Sequence, residues 1–108
     1  PAPKWQRERM RAWAQIGLVQ LDQGAPADAI ASFERAGKEF ERLEVKVTPA
    51  RAEALMGLGR AHLAQGAPTQ AVALLEQAEQ FWRAFDPANP LAASVRDWLA
   101  RARAAERG

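Results

Sequence analysis

Residues 16–36 read IGLVQLDQGAPADAIASFERA, and residues 58–78 read LGRAHLAQGAPTQAVALLEQA. The two stretches are offset by 42 residues, and ten positions are identical at that offset. A period between about 20 and 50 residues is typical of solenoids, in which each unit packs against its neighbours. The repeat therefore predicts an array of two similar units within this chain of 108 residues.

Each unit is predicted to be a helix, a tight turn and a second helix. The turn is Gln-Gly-Ala-Pro in both copies. Gly24 and Gly66 are placed to end the first helix, because glycine adopts the left-handed conformation without steric cost. Pro26 and Pro68 follow where a second helix would begin, and proline is tolerated there because no N–H is required.

The predicted helices carry apolar residues at spacings of three and four, the pattern of a helix that packs along one face. A glycine also lies in the middle of each first helix, where it costs about 1 kcal/mol relative to alanine. We expect Gly17 and Gly59 to admit a close approach of the neighbouring helix backbone. The apolar stripes of the two second helices are Ala29, Phe33, Ala36, Phe40 and Leu43 in the first copy, and Ala71, Leu75, Ala78, Trp82 and Phe85 in the second.

These residues resemble the tetratricopeptide repeat (TPR) pattern, in its longer-period bacterial type. The matching positions are Trp13-x-x-Ile16-Gly17, Ala29-x-x-x-Phe33 and Ala36, then Leu55-x-x-Leu58-Gly59, Ala71-x-x-x-Leu75 and Ala78. The resemblance implies an all-α, right-handed α-solenoid of two helix-turn-helix repeats and a C-terminal capping helix, five helices in all. It also implies a non-catalytic protein–protein interaction module.

Two features depart from the usual pattern. Gln20 and His62 stand where the family commonly has an aromatic residue. The period is 42 residues rather than the usual 34 or so, and we expect the extra residues to lengthen the helices around residues 37–53. Thr48 and Pro49 are predicted to be the N-cap and first residue of the third helix.

The two ends of the chain extend the repeats. Residues 4–11 are predicted to lengthen the first helix, and Trp5 there could pack on the second helix, meet a preceding repeat or form a dimer contact. Asn89 and Pro90 are predicted to start a fifth helix. We expect one domain over residues 1–108, with repeat 1 at about 4–47, repeat 2 at about 48–86 and the capping helix at about 90–107. The capping helix has an apolar stripe of Leu91, Val95, Trp98, Leu99 and Ala102, with Arg96, Asp97, Arg101, Arg103 and Glu106 on its outer face.

The composition argues against several classes of protein. The formal net charge is only +2 and basic residues alternate with acidic ones, so we expect no nucleic-acid partner. No apolar run approaches the roughly 18 residues of a membrane span. Cysteine is absent, which excludes disulfides and thiolate sites and suits a reducing, cytoplasmic location. The chain begins with Pro1 rather than Met, and its Ala- and Arg-rich, Lys-poor composition is common in bacterial proteins, so we expect a piece of a larger bacterial protein.

Catalytic, cofactor and metal sites are not predicted. His62 is the only histidine, and without cysteine it favours a packing or surface role over a metal ligand or a general base. Ser32 and Ser94 lie in helical patterns without a local base. The acidic residues Glu39, Glu41 and Glu44 form a charged helix face rather than an acid–base pair.

The resemblance implies a partner-binding groove on the concave surface lined by the first helix of each repeat. Arginine there could hold partner carboxylates, and the apolar members suit an apolar side chain. The groove is therefore predicted to bind a peptide or protein with acidic and apolar side chains, although Leu18 and Met56 could instead pack on neighbouring helices. The residues carried over are Arg11, Ala14, Leu18, Asp22, Glu53, Met56, Arg60, Ala64, Arg96, Leu99 and Arg103.

The groove lacks the carboxylate clamp of the chaperone-binding relatives. That clamp has Lys and Asn where this chain has Ala14 and Leu18, and a further Asn where it has Gly57. Two alternatives to groove binding stay open: a structural, scaffold-like segment that forms a homodimer through Trp5 or Trp98 or stacks on neighbouring repeats, and a regulatory segment of a signalling enzyme such as a protein kinase.

Overall fold

The computed structural model describes residues 4–42 and 48–108, and over these residues the chain is all-α. Its helices are α1 (Lys4–Asp22), α2 (Pro26–Arg42), α3 (Pro49–Ala64), α4 (Pro68–Phe85) and α5 (Pro90–Arg107). The predicted all-α repeat architecture is confirmed. Residues 43–47, which include Leu43, Glu44 and part of the segment predicted to lengthen the helices, lie outside the described residues.

The two Gln-Gly-Ala-Pro turns have the same backbone structure. Gly24 and Gly66 have φ angles of 76° and 75°, the left-handed values that the sequence predicted. In each turn the residue after the glycine donates its N–H to the backbone carbonyl of the residue five positions earlier. These hydrogen bonds run from Ala25 to Gln20 (2.9 Å) and from Ala67 to His62 (2.9 Å). This pattern satisfies carbonyls at the end of the first helix and lets proline begin the second.

Side chains cap two other helices at their N-termini. The Thr48 side chain accepts from the Arg51 N–H at 3.3 Å, and the Asn89 side chain accepts from the Leu91 N–H at 2.9 Å. Both caps precede a proline at the first helical position, as predicted. Capping satisfies an N–H that the helix itself cannot bond.

The helices form two layers. The first helix of each repeat contacts the next one, so that α1, α3 and α5 form an inner layer, whereas α2 and α4 lie outside it and do not touch each other. The layer in which successive helices meet is the inner side of the curve, and it forms the concave surface. Two buried clusters hold the layers together, one around Phe33 and Phe40, the other around Leu75 and Trp82.

Phe33 is the residue that joins the two repeats. Its ring is 2% exposed and lies between two helical glycines. A Cβ atom at Gly17 of α1 would stand 2.8 Å from the ring, and a Cβ at Gly57 of α3 would overlap the ring as well. At Gly59 the nearest atom to a Cβ would be Leu75 Cγ at 2.7 Å, whereas the nearest backbone atom is 3.4 Å away. The prediction of a close backbone was therefore wrong at Gly17, where only the Phe33 side chain comes near. At Gly59 the Leu75 side chain comes nearest, and the Ala71 backbone of α4 is also in contact.

Candidate functional site

A cleft of about 270 Å³ opens on the concave surface between α1 and α3. Its lining includes the half-buried Leu18 and the buried Phe33 and Phe40, together with the charged residues Arg11 and Glu53. The remaining lining residues are Ala14, Gln15, Pro49, Ala50 and Ala54. The structure thus brings together four of the predicted groove residues, namely Arg11, Ala14, Leu18 and Glu53.

Three predicted groove residues are buried rather than exposed. Met56 is 8% exposed and Leu99 is 4% exposed, and both belong to the cluster with Leu75 and Trp82. Ala14 is also 8% exposed and packs in the cluster with Phe33, although it still lines the cleft. Their expected exposure was wrong because all three side chains pack in the buried clusters between their own helix and the neighbouring helices. For Met56 the alternative, packing on neighbours, is the correct one.

The α5 side of the concave surface is organised around Trp98. The guanidinium of Arg60, from α3, lies 4.7 Å from the centre of the Trp98 ring, and that of Arg101 lies 4.6 Å from it. Such cation–π contacts hold a cation over the electron-rich face of the ring. Arg60 therefore links α3 to α5 instead of extending freely into the groove, and Trp98 is half-buried.

The other predicted groove residues do not join the cleft. Arg103 makes an ion pair of 3.1 Å with Glu76 of α4, so it lies over the α4–α5 seam. Asp22, Ala64 and Arg96 are exposed but are not among the residues that line the cleft. The cleft instead includes Gln15, Pro49 and Ala50, which the family pattern did not indicate. Only the approach of α1 to the start of α3 brings those residues together.

A second cleft lies between α1 and α2 and includes Trp13, Ile16 and Glu39. The Glu39 carboxylate accepts hydrogen bonds from Arg42 (2.7 Å) and from Arg9 (2.6 Å). These two bonds, with Arg42 contributing more, lower the pKa of Glu39 below its ordinary value. Arg35 lies 4.5 Å over the Trp13 ring in the same region.

The Tetratricopeptide repeat family model TPR_16 matches residues 15–90, which include both Gln-Gly-Ala-Pro turns and the whole of α2, α3 and α4. The chain belongs to the tetratricopeptide repeat family. Repeats of this family generally mediate protein–protein interactions and are typically non-catalytic. No curated protein and no solved structure was found to match this TPR chain.

Three further observations concern the described part of the TPR chain. Residues 4–42 and 48–108 contain no group of three or more His, Cys, Asp or Glu side chains placed to hold a metal ion. None of their helices is long and apolar enough to cross a membrane. Gln20, which replaces the usual aromatic residue, accepts a hydrogen bond of 2.6 Å from the buried Ser32 hydroxyl, so this departure from the pattern has a partner on α2.

Proposed function

We propose that this TPR chain is a non-catalytic interaction module that binds a peptide or an extended segment of a partner protein in its concave groove. The observation that supports the proposal is the cleft between α1 and α3. Its lining combines the apolar Leu18 with the charged Arg11 and Glu53, and its volume of about 270 Å³ is enough for one or two side chains of a partner. Recognition pockets commonly combine apolar contacts with a few charged or polar groups.

The charges beside the cleft indicate the chemistry of the partner. Arg11 is exposed, and its guanidinium can hold a carboxylate through two parallel hydrogen bonds. Leu18 is half-buried in the wall and offers an apolar contact. A partner with an apolar side chain for the cleft and an acidic side chain for Arg11 satisfies both. Glu53, on the opposite side, disfavours a second acidic residue there.

The sharpest test compares two neighbouring residues of α1. Leu18 lines the cleft, whereas Val19 is 53% exposed and does not line it. Peptides selected on the wild-type chain from a displayed random library would be titrated, with a fluorescent label, against Leu18→Glu and Val19→Glu. We expect Leu18→Glu to weaken binding at least about tenfold, since it places a charge against an apolar partner, and Val19→Glu to bind like wild type.

Arg11→Glu and Arg107→Glu form a second matched pair, because both residues are exposed but only Arg11 lines the cleft. Circular dichroism checks that all four variants stay folded. Failure to select any peptide, or equal binding by the Leu18 and Val19 variants, would contradict groove binding. Met56→Glu is not informative here, because Met56 is in the core and its charge would unfold the chain.

The proposal places the module in a larger bacterial protein of the cytoplasm, in keeping with its cysteine-free, Arg- and Ala-rich sequence. That protein could be a scaffold, or a signalling enzyme such as a protein kinase in which the module has a regulatory role. Self-association through Trp98 is disfavoured, because its ring is already in contact with Arg60 and Arg101. Trp5 is exposed and lies on a different surface, on the first helix.

A further inference from the structure

Most of the exposed large apolar side chains lie on one helix. The described residues have four such side chains, and three of them are on α1: Trp5 (58% exposed), Ile16 (42%) and Val19 (53%). The fourth, Phe85, is on α4 and stacks on Phe81 with ring centres 5.0 Å apart. Scattered exposed apolar residues are normal, but several on one helix mark an interaction surface.

The three residues of α1 form a single stripe together with Ala12. Trp5, Ala12 and Val19 are each seven residues apart, close to two helical turns, and Ile16 is four residues beyond Ala12. All four therefore project from the same side of α1. The stripe, defined as Trp5, Ala12, Ile16 and Val19, is exposed along its whole length. The residues of α1 that pack into the molecule, Met10, Ala14 and Gly17, are buried on another side of the helix.

The same positions in the second repeat are covered by a helix. At the repeat offset of 42 residues, Ala12, Ile16 and Val19 correspond to Ala54, Leu58 and Ala61 of α3. Ala54 and Ala61 are buried, and Leu58 packs beside them, in the cluster that Phe33 and Phe40 of α2 help to form. Helix α2 runs antiparallel to α3, because the two are consecutive helices of the array. The stripe on α1 is thus the same kind of surface, and no helix of the described residues covers it.

We propose that a second copy of this chain covers the stripe, with the two α1 helices packed antiparallel across a twofold axis at Ala12. Three of the four members are placed symmetrically about that residue, because a small side chain stands at the centre and Trp5 and Val19 stand at equal distances on either side. Ile16 has Glu8 at the matching distance. An antiparallel pair therefore places Trp5 of each copy beside Val19 of the other. Alanine at the crossing point lets the two helices approach closely.

Charge complementarity favours the same arrangement. Lys4 and Asp22 are at opposite ends of α1, and both lie on the same flank of the stripe. In an antiparallel pair like flanks face each other, so that Lys4 of one copy meets Asp22 of the other, twice by symmetry. In a parallel pair unlike flanks face each other, so Lys4 and Asp22 would not meet. The symmetric interface is self-complementary, as a closed dimer requires.

Head-to-tail stacking is the less favourable assembly. The other end of the array is helix α5, whose exposed residues are mostly charged or small, including Arg96, Asp97 and Arg101. Burying the α1 stripe against these charges would remove them from water without apolar compensation. The α1 stripe of a second copy is the better match.

The proposed dimer is small and leaves the groove open. The stripe runs for about 21 Å of helix at 1.5 Å per residue, so the contact is at the small end of stable interfaces and we expect a dissociation constant of about 10–100 µM. Leu18 and Arg11 line a cleft on a different side of α1. The dimer therefore presents two grooves, and a partner with two binding segments would gain avidity.

The first experiment measures the mass of the chain in solution. Sedimentation equilibrium over a concentration series is expected to show a monomer–dimer equilibrium for the wild type. Val19→Glu should weaken the dimer at least about tenfold, because it places two charges in an apolar contact. Phe85→Glu is the matched control, since Phe85 is also an exposed apolar residue but lies outside the stripe, and it should leave the equilibrium unchanged.

The second experiment locates the twofold axis. The chain has no cysteine, so a single Ala12→Cys variant can form a disulfide only between copies, and residues on the axis come within the Cα separation of about 4.4–6.8 Å that a disulfide needs. We expect Ala12→Cys to cross-link much faster under mild oxidation than Ala93→Cys, an exposed alanine of α5. Lys4→Glu should weaken the dimer, and adding Asp22→Lys should restore it.

Three outcomes would overturn the proposal: a wild-type chain that stays monomeric up to millimolar concentration, a dimer that Val19→Glu leaves intact, or equal cross-linking of the two cysteine variants. These outcomes are independent of peptide binding. Leu18→Glu tests the groove without affecting the stripe, and Val19→Glu tests the stripe without affecting the groove. Circular dichroism of both variants excludes a common loss of fold.

Discussion

The contact between Phe33 and Gly57 predicts a large effect of a single methyl group. In Gly57→Ala, the new Cβ would stand 2.7 Å from Phe33 Cε1 and 3.0 Å from Cε2, whereas carbon atoms in contact are normally about 3.5–4.0 Å apart. The ring has little room to retreat, because on its other side a Cβ at Gly17 would stand only 2.8–2.9 Å away. Helix α3 or α1 would have to move.

The net change in stability follows from two opposing effects. Replacing glycine by alanine within a helix stabilises it by about 1 kcal/mol. Overpacking a filled core costs about 1–3 kcal/mol, sometimes more, and the upper part of that range applies to Phe33 because glycines bound its ring on two sides. We therefore expect Gly57→Ala to lower the free energy of unfolding by about 1–2 kcal/mol. In a domain of this size that lowers the melting temperature by about 4–8 °C per kcal/mol.

Gly37 provides the matched control. It also lies inside a helix, α2, but a Cβ there would have no neighbouring atom within 4 Å. Gly37→Ala should therefore stabilise the chain by about 0.5–1 kcal/mol. A third variant tests the cause: Phe33→Leu introduces the residue found at the equivalent position 75 and shortens the side chain, so it should relieve much of the effect of Gly57→Ala.

The assay is urea denaturation followed by far-ultraviolet circular dichroism, applied to the wild type, the three single variants and Phe33→Leu/Gly57→Ala. The double variant should be more stable than the sum of its single variants predicts, by about 1 kcal/mol or more. If Gly57→Ala proves as stable as Gly37→Ala, or if the effects of Phe33→Leu and Gly57→Ala simply add, the ring does not fill the space between the helices as argued.

Three further predictions concern polar groups. Gln20→Leu should lower stability by about 1–3 kcal/mol, because it leaves the buried Ser32 hydroxyl without its 2.6 Å partner, and adding Ser32→Ala should recover part of that loss in urea titrations. Asn89→Ala should lower stability by about 1 kcal/mol through loss of the α5 cap, measured by thermal denaturation. The lowered pKa of Glu39 stabilises the folded chain above the ordinary carboxyl pKa, so the stability difference between wild type and Glu39→Gln should disappear as the pH falls through the folded-state pKa. A difference that is independent of pH would contradict the last of these.

The local features of the fold were predictable from the sequence because local chemistry determines them. A left-handed glycine followed by proline ends one helix and begins the next, and it does so at Gly24 and Gly66 whatever packs nearby. The caps at Thr48 and Asn89 depend only on the residues just after them. Each of these signals acts within one turn of helix, so the sequence pattern contains all of it.

It was harder to predict from the sequence which side chains of one repeat are buried by the neighbouring repeat. Met56 and Leu99 match groove positions of the family, yet both are buried in the cluster that contains Leu75 and Trp82 of α4. Gly57 did not stand out either, because its counterpart at the repeat offset is Gln15 and the repeat pattern therefore gives no signal there. Its role comes from Phe33 of the preceding repeat, a contact between units that are far apart in sequence. Periodicity identifies an apolar face, but the neighbouring helix determines how much of it is covered.

Helix α1 has two surfaces free to contact other molecules, whereas the equivalent positions of α3 are occupied by contacts within the chain. Leu18 and Val19 of α1 correspond to Arg60 and Ala61 of α3. In α3 the arginine reaches Trp98 of α5 and the alanine is buried in the cluster with Phe33, so both positions are used within the chain. In α1 the same two positions carry leucine and valine, one beside the concave cleft and one 53% exposed on the outer side. We expect apolar residues on two separate sides of α1 if both sides contact other molecules. The equivalent positions of α3, which make no such contacts, have a charged residue and a small one. The Leu18 and Val19 variants test the two contacts of α1 separately.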